Sequence, residues 1–376
     1  MDPLHRRGSD RNSLSVAVLI DHHHNVTERI AIDPANPDPA AIKRAAAILR
    51  AGGLVAFPTE TVYGLGADAT NPAAVRRIFE AKERDLNDPL IVHIAEREAL
   101  AEVAGEIPAM ARLLADAFWP GGLTLVLPRG AAVASKVSAG GPTVAVRLPS
   151  HAVARALIAA AGRPIAAPSA NRFTRTSATT AEHVFEDLDG RFDLLLDGGP
   201  AEAGVESTVV AFEPGVLRVL RPGAVSNEAL ARVVEAAGGR LVVGAAPRLA
   251  GTLASPGLLA KHYAPRAPFV YVTGQGEAAR AALLFELGAA GGLRVGLLLQ
   301  SEERRALGEA LVGAVVEDLG PEGDSGIAAH RLFAAMRALD AAAVGLILAR
   351  QLPLDGLGAA IHDRLTRAAT RIVATP

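Results

Sequence analysis

Two periods of apolar residues alternate along this chain. Ile42, Ala46 and Leu49 recur at helical spacing between Ala40 and Gly52, and Gly52-Gly53 ends the run. Leu54 to Phe57 is a short apolar run of strand length, followed by a Thr- and Gly-rich loop from Pro58 to Gly66. Asn71 caps a helix from Pro72 to about Lys82, with proline in its first turn. The same reading predicts helices over 97–103, 108–118, 152–161 and 181–188, and strands over 90–94, 123–127, 144–148, 165–167 and 194–196. Residues 207–211 and 217–220 form a strand pair joined through Glu213-Pro214-Gly215. Several strand-to-strand joins are short. The expected fold class is therefore α/β, with a twisted mixed sheet carrying packed helices rather than a strictly parallel one.

After a helix over 227–237, the stretch 244–268 is rich in Gly, Pro and Ala and reads as a linker. Beyond it strands over 269–272, 294–299, 314–316 and 343–348 alternate with helices over 277–287, 302–311, 327–340 and 357–372. That regular alternation predicts a small Rossmann-like, doubly wound parallel domain. The expected organisation is a tail over 1–30, a first domain over 31–240, a linker over 241–267 and a second domain over 268–376. Within the tail, His22, His23 and His24 can be read as metal ligands or as an extension without structure.

Composition narrows the picture. Half of the 376 residues are hydrophobic and 21% are charged, enough for sizeable cores in two or three domains. The net charge of -2 argues against a protein that coats nucleic acid through global charge, while leaving a local basic cleft open. Without Cys there are no disulfides, thiolate zinc sites or Cys nucleophiles, which fits a reducing compartment and a cytoplasmic location. No apolar run reaches the roughly 18–20 residues of a membrane span, so no membrane partner is expected. Lysine is confined to Lys43, Lys82, Lys136 and Lys261 among many arginines, which draws attention to each.

Several stretches carry chemistry. Gly64-x-Gly66-x-x-Ala69 imitates a dinucleotide fingerprint. It fails as one because Pro58 to Tyr63 separate it from the strand, and because the acid required at the end of the next strand is not met by Asp88, which lies before that strand. Lys82 and Arg84 sit at a helix end, either as ordinary C-terminal capping or as an anion clamp. Ser169 and Asn171 follow a strand, where ligands collect in open α/β sheets and where turn-forming residues are also at home. Arg147 and His93 interrupt apolar strands. Arg147 either meets solvent or holds a carboxylate in a cleft, and His93 is either a structural or a catalytic residue. Arg221 adjoins a Pro-Gly turn. No P-loop sequence occurs, which excludes that class of NTPase.

Eight ordered blocks across residues 38–226 together resemble the YrdC-type family of threonylcarbamoyl-AMP synthases. They are PTETVYGLGADA at 58–69, KER at 82–84, PLIVHI at 89–94, WPGGLTLVL at 119–127, TVAVRLP at 143–149, PIAAPSAN at 164–171, GVESTVV at 204–210 and LRPGA at 220–224. Ser255-Pro256-Gly257 and Lys261-His262-Tyr263-Ala264-Pro265 are similar to the linker signature of the longer, two-domain subtype. The resemblance implies an enzyme that condenses ATP, L-threonine and bicarbonate, with Mg2+ on the phosphates. Its product would pass to a tRNA threonylcarbamoyltransferase complex, with weak tRNA contact allowed. Lys82 and Arg84 would be catalytic. Together with Asp88, Thr143, Ser169, Asn171, Ser177, Arg221 and Tyr263 they would bind ATP. Thr61, His93, Arg147, Ala167 and Ser207 would surround threonine, and the linker would act as a lid.

This chain departs from the family pattern at Asp85, Asp88, Gly122, Phe173-Thr174 and Leu258-Leu259-Ala260. Two rivals stand beside the resemblance. One is an RNA-binding module without catalysis, disfavoured by few aromatics and the near-neutral charge. The other is a carbamoyl-transfer maturation protein sharing this domain, disfavoured by the absence of Cys for its zinc fingers.

Overall fold

The computed structural model describes residues 27–244 and 262–376. The three tail histidines, Ser255 to Gly257, Leu258 to Ala260 and Lys261 lie outside the described residues. The first sheet is built from β1 (Glu28–Ala31), β2 (Val55–Phe57), β3 (Gly64–Asp68), β4 (Ile91–His93), β5 (Leu123–Pro128) and β6 (Thr143–Arg147). It continues with β7 (Ile165–Ala166), β8 (Leu194–Asp197), β9 (Thr208–Glu213), β10 (Val216–Arg221) and β11 (Arg240–Val243). Their order is β1-β8-β2-β3-β7-β4-β6-β5-β9-β10-β11. It is mixed, as expected: β4 runs parallel to β6 and antiparallel to β7.

Local signals explain the helix that matters most to the site, Pro72–Lys82. The Asn71 side chain accepts from the N–H groups of Ala73 and Ala74, and Pro72 opens the first turn. Glu83 then ends the helix in the left-handed region at φ 54°. That reversal sends the chain back, so Arg84 lies buried against the sheet.

Three expectations are corrected. Residues Gly64–Asp68 are a strand, with all five residues buried, rather than the continuation of a loop. A Cβ on Gly66 would lie 2.7 Å from the Phe57 ring, and one on Gly64 would lie 3.3 Å from the Ala167 Cβ. These glycines answer to close packing within a sheet, not to a turn. Glu28–Ala31, assigned mostly to the tail, pairs with β8 at the sheet edge. The last helix ends at Ala368 instead of running to 372.

The chain then returns as β16. The second sheet holds β12 (Phe269–Thr273), β13 (Val295–Leu299), β14 (Val315–Asp318), β15 (Leu346–Arg350) and β16 (Arg371–Ala374). It is parallel throughout, in the order β14-β13-β15-β12-β16. Tyr271, Phe333, Met336, Leu339, Ile361 and Leu365 pack on one face, and Val272, Leu283, Leu297 and Leu299 on the other. Burial on both faces is what an all-parallel sheet requires.

The two domains interlock. Val205, from the first, is part of the second domain's core together with Tyr263 and Phe333. Gly204, at φ +71°, passes so close to the helix Ser325–Ala341 that a Cβ would lie 2.4 Å from the His330 Cα. Arg337 donates to the Thr176 carbonyl at 2.6 Å and to Asp187 at 2.7 Å across the same seam. Gly204→Ala is expected to destabilise the protein by about 2 kcal/mol or more, because backbone atoms rather than flexible tips must give way. Thermal unfolding checks this, and an unchanged midpoint would show that the seam is loose.

Candidate active site

The cavity lies over a face of the first sheet and reaches its strand ends: His93, Arg147 and Arg221 are the last residues of β4, β6 and β10, and Ala167 to Ser169 follow β7. β4 and β6 pair in parallel with Ile91 opposite Ala145 and His93 opposite Arg147. Side chains two apart share a face. Ile91, Ala145, Val126, Val209 and Leu220 form a small apolar floor. Val92 and Val146, pointing the other way, belong to the main core. Strand alternation thus places His93 and Arg147 side by side above an apolar floor, inside one half-open cavity.

All five residues expected around threonine line this cavity: Thr61, His93, Arg147, Ala167 and Ser207. Arg147 is held tightly. Its Nε donates to the Gly121 carbonyl at 3.1 Å, its Nη1 to Thr61 at 2.7 Å, and its Nη2 lies 2.6 Å from Glu60. Burial pushes the Glu60 carboxyl up, but Arg147 overcomes this and holds it below its usual range. Thr59 fixes the loop by accepting from the N–H groups of Thr61 and Val62. His93 is pushed down to about 3 by burial and by Arg147, so its ring is neutral at pH 7. Ser207 shares a 2.8 Å hydroxyl contact with Thr124.

Of the positions expected around ATP, Arg84, Ser169, Arg221 and Tyr263 line the cavity. Arg221 donates to the Ser207 carbonyl through Nε at 3.2 Å and Nη2 at 2.9 Å. Arg84 donates to the carbonyls of Asp88 and Pro89 and lies 2.8 Å from the Asp88 carboxylate. Of the remainder, Lys82, Asp88, Asn171 and Ser177 are buried behind the lining, whereas Thr143 lies at the far end of β6 from Arg147. Lys82 does not face the cavity. Its Nζ donates to the Ser169 carbonyl at 2.5 Å and also to that of Asn171. Burial, reinforced by Arg84, holds the Lys82 ammonium well below its ordinary value. It therefore shapes the 169–171 loop from beneath. Asn171 donates to the carbonyls of Arg172 and Arg175, Ser177 donates to Glu206, and Thr143 opens β6 opposite Pro128. None of these three is a lining group.

The roof is His262-Tyr263. Tyr263 adopts φ 63°, rare for a residue with a bulky side chain. His262 is pushed down to about 3 by burial and by the surrounding cations, Arg84 first. The segment is seated by the departures Phe173-Thr174. The Ala264 N–H donates to the Thr174 carbonyl at 2.8 Å, and Phe173 packs between Arg84 and His262. Sequence reasoning missed Glu60, Glu206 and His262. All three lie inside recognised blocks, but an acid or a histidine is not by itself a signal for a site that gathers arginines.

Three guanidinium groups around one small cavity suit a polyanion beside a small carboxylate ligand. This defines a two-domain class: an arginine-lined sheet-face site roofed by a linker segment that packs on a Rossmann-like second domain. Residues 47–223 match the Sua5_yciO_yrdC family model, whose description reads "Telomere recombination". Residues 225–370 match the model described as the C-terminal domain of threonylcarbamoyl-AMP synthase. The chain is 43% identical to the threonylcarbamoyl-AMP synthase of Bacillus subtilis over 90% of this chain and 95% of that one. It is 41% identical to the enzyme of that name from Pyrococcus abyssi, over 92% and 96%. The crystal structure of P. abyssi Sua5 complexed with L-threonine superposes with a TM-score of 0.83 at 39% identity, covering 93% of this chain and all of that one. The chain belongs to the Sua5/YciO/YrdC family, in its long form with the Sua5 C-terminal domain.

Asp88 occupies a position where the family pattern often has Asn, and here it serves as the buried counter-anion of Arg84. An incoming anion must compete with it. Asp88→Asn is expected to tighten binding of inorganic triphosphate about tenfold, since one nearby negative charge is removed. Calorimetric titration measures this, and weaker binding would mean that Asp88 chiefly holds Arg84 in place.

Proposed function

We infer that this chain is a threonylcarbamoyl-AMP synthase. It condenses L-threonine, bicarbonate and ATP to threonylcarbamoyl-AMP and pyrophosphate for N6-threonylcarbamoyladenosine formation in tRNA. The observation that carries the reading is the convergence of Arg84, Arg147 and Arg221 on one cavity with Thr61, Ser169 and Ser207. Relatives of that name match the chain over 90% of its length.

The Glu60-Arg147-Thr61 end with His93, Ala167 and Ser207 takes threonine. Arg147 holds its carboxylate alongside Glu60. The Arg84, Ser169, Arg221 and Tyr263 end takes ATP, supported from behind by Lys82, Asp88, Asn171 and Ser177, while the role of Thr143 rests on the family resemblance alone. The threonine amine, as the free base, attacks bicarbonate, and water leaves to give a carbamate. A carbamate oxygen then attacks the α-phosphorus, and pyrophosphate departs. Such a displacement needs in-line placement and fixed positive charge more than a covalent nucleophile. Arg84 and Arg221 supply that charge without reorganising. Mg2+ bound with ATP would supply further neutralisation of the phosphate charge. Among the described residues no cluster of three or more His, Asp or Glu side chains offers a resident metal site. The roof excludes water from a labile mixed anhydride. The product passes to the complex that threonylcarbamoylates tRNA in the cytoplasm.

Mass spectrometry of a reaction with ATP, bicarbonate and threonine is expected to show threonylcarbamoyl-AMP and pyrophosphate, with serine a poor substitute. ATP cleavage without the threonine adduct would remove the reading. Arg84→Ala is expected to lower turnover about 100-fold. Lys82→Ala should lower turnover and also stability, by about 1–3 kcal/mol, because two buried carbonyls lose their donor. Full turnover in both variants would contradict the assignment.

A further inference from the structure

The bulkiest fully buried side chain in the described protein is Arg364, on the helix Gly358–Ala368 of the second domain. A guanidinium with no solvent exposure survives only when it is paired. Its Nε donates to the Glu206 carboxylate at 2.7 Å, and its Nη1 to Asp363 at 2.6 Å. Its Cζ lies 4.9 Å from the centre of the Tyr263 ring. Arg364 does not itself line the cavity, yet Glu206 and Tyr263 both do. A charge from the second domain therefore touches the site through one wall residue and the roof.

Both intermediaries lie towards the Arg84–Arg221 end. Glu206 also accepts from Ser177, and the backbone carbonyl of its neighbour Ser207 receives Arg221, while the Ser207 hydroxyl, in contact with Thr124, serves the threonine end. Tyr263 adjoins His262 at 4.1 Å between ring centres, and His262 meets Phe173, which lies under Arg84. The opposite end, Glu60-Arg147-Thr61, is closed on itself within the first domain. Stability alone is a weak reason for such a pair, because a buried ion pair is often no better than apolar residues of the same volume. Its planar fork and its face over an aromatic ring instead fix two orientations at once.

We propose that Arg364 is a positioning residue through which the second domain sets the nucleotide end of the cavity, by holding the Glu206 wall and the Tyr263 roof in register. The inference rests on the synthase reading, and its test separates the two. Steady-state kinetics of the full chain give KM for ATP and for threonine from pyrophosphate release. Calorimetry with a non-hydrolysable ATP analogue gives binding directly. For Arg364→Met, KM for ATP and the analogue Kd are expected to rise tenfold or more, while KM for threonine stays within twofold. Arg364→Lys, which keeps the charge but not the planar face, should recover part of the ATP affinity. Equal rises in both KM values, or a fall in kcat alone that tracks the folded fraction, would overturn the proposal. If Arg364→Met does not fold, the two KM values of Arg364→Lys decide by the same criterion. A wild-type chain that makes no threonylcarbamoyl-AMP defeats the synthase reading. An unchanged analogue Kd in the variants defeats the positioning role.

Discussion

Burying several guanidinium groups around one small cavity is the constraint on which the rest of this structure depends. Desolvation of each charge is costly, and like charges raise one another's cost. The fold answers with a carboxylate for nearly every arginine: Asp88 for Arg84, Glu60 for Arg147 and Glu206 for Arg364. Arg221 differs. Among the described residues it has no carboxylate within ion-pair distance and leans on the Ser207 carbonyl and hydroxyl. Asp88 and Glu206 offset its charge only through space, without direct contact. Arg221 is therefore the lining arginine whose guanidinium is best placed to take a ligand anion in direct contact.

The sheet sets where these charges stand. Because β4 and β6 are adjacent and parallel, residues at equal register face the same way, and His93 meets Arg147 without any loop intervening. Loops then close the site from three sides, each anchored by short-range bonds: Thr59 within 59–62, Lys82 beneath 169–171, and Arg221 behind 207. A site built this way has a rigid floor and a wall whose shape follows from buried lysine–carbonyl contacts. Lys82 therefore matters while remaining outside the cavity, and its depressed basicity comes from burial first and from the neighbouring Arg84 second.

What could be read in the sequence was whatever is encoded locally. The helix Pro72–Lys82 carries its cap, its first-turn proline and its periodicity within a dozen positions, and it forms as expected. The hairpin of β9 and β10 is equally self-contained. The strands that escaped notice are those whose reason lies far away. β1 is a strand because β8 lies beside it, and β16 because β12 does. β3 looked like a loop because the glycines that let it pack against Phe57 are also the residues of turns. The same division runs through the site. Thr61, His93, Arg147, Ala167 and Ser207 were legible from the family blocks. Whether Lys82 faces the cavity or a carbonyl 87 residues further on is not encoded near Lys82. Arg364 gave no signal, because its helix has an ordinary amphipathic pattern and its partner belongs to another domain.

The second domain then acquires a definite physical role. A roof made of two aromatic rings on a segment with a left-handed tyrosine would not hold its shape unaided, since that backbone conformation is unfavourable for such a side chain. It is over-determined by contacts from both domains. The Thr174 carbonyl binds the Ala264 N–H from the first, while Phe333 and Arg364 cover the Tyr263 ring from the second. The His262 N–H also reaches the Arg367 carbonyl on the helix that carries Arg364. Any shift of that helix would move the Glu206 wall and the roof together. The Glu60–Arg147 end, bound only within the first domain, would stay where it is. The architecture thus divides the labour between a small-ligand end that is fixed once the first domain folds and an anion end whose geometry is completed only when the second domain is docked.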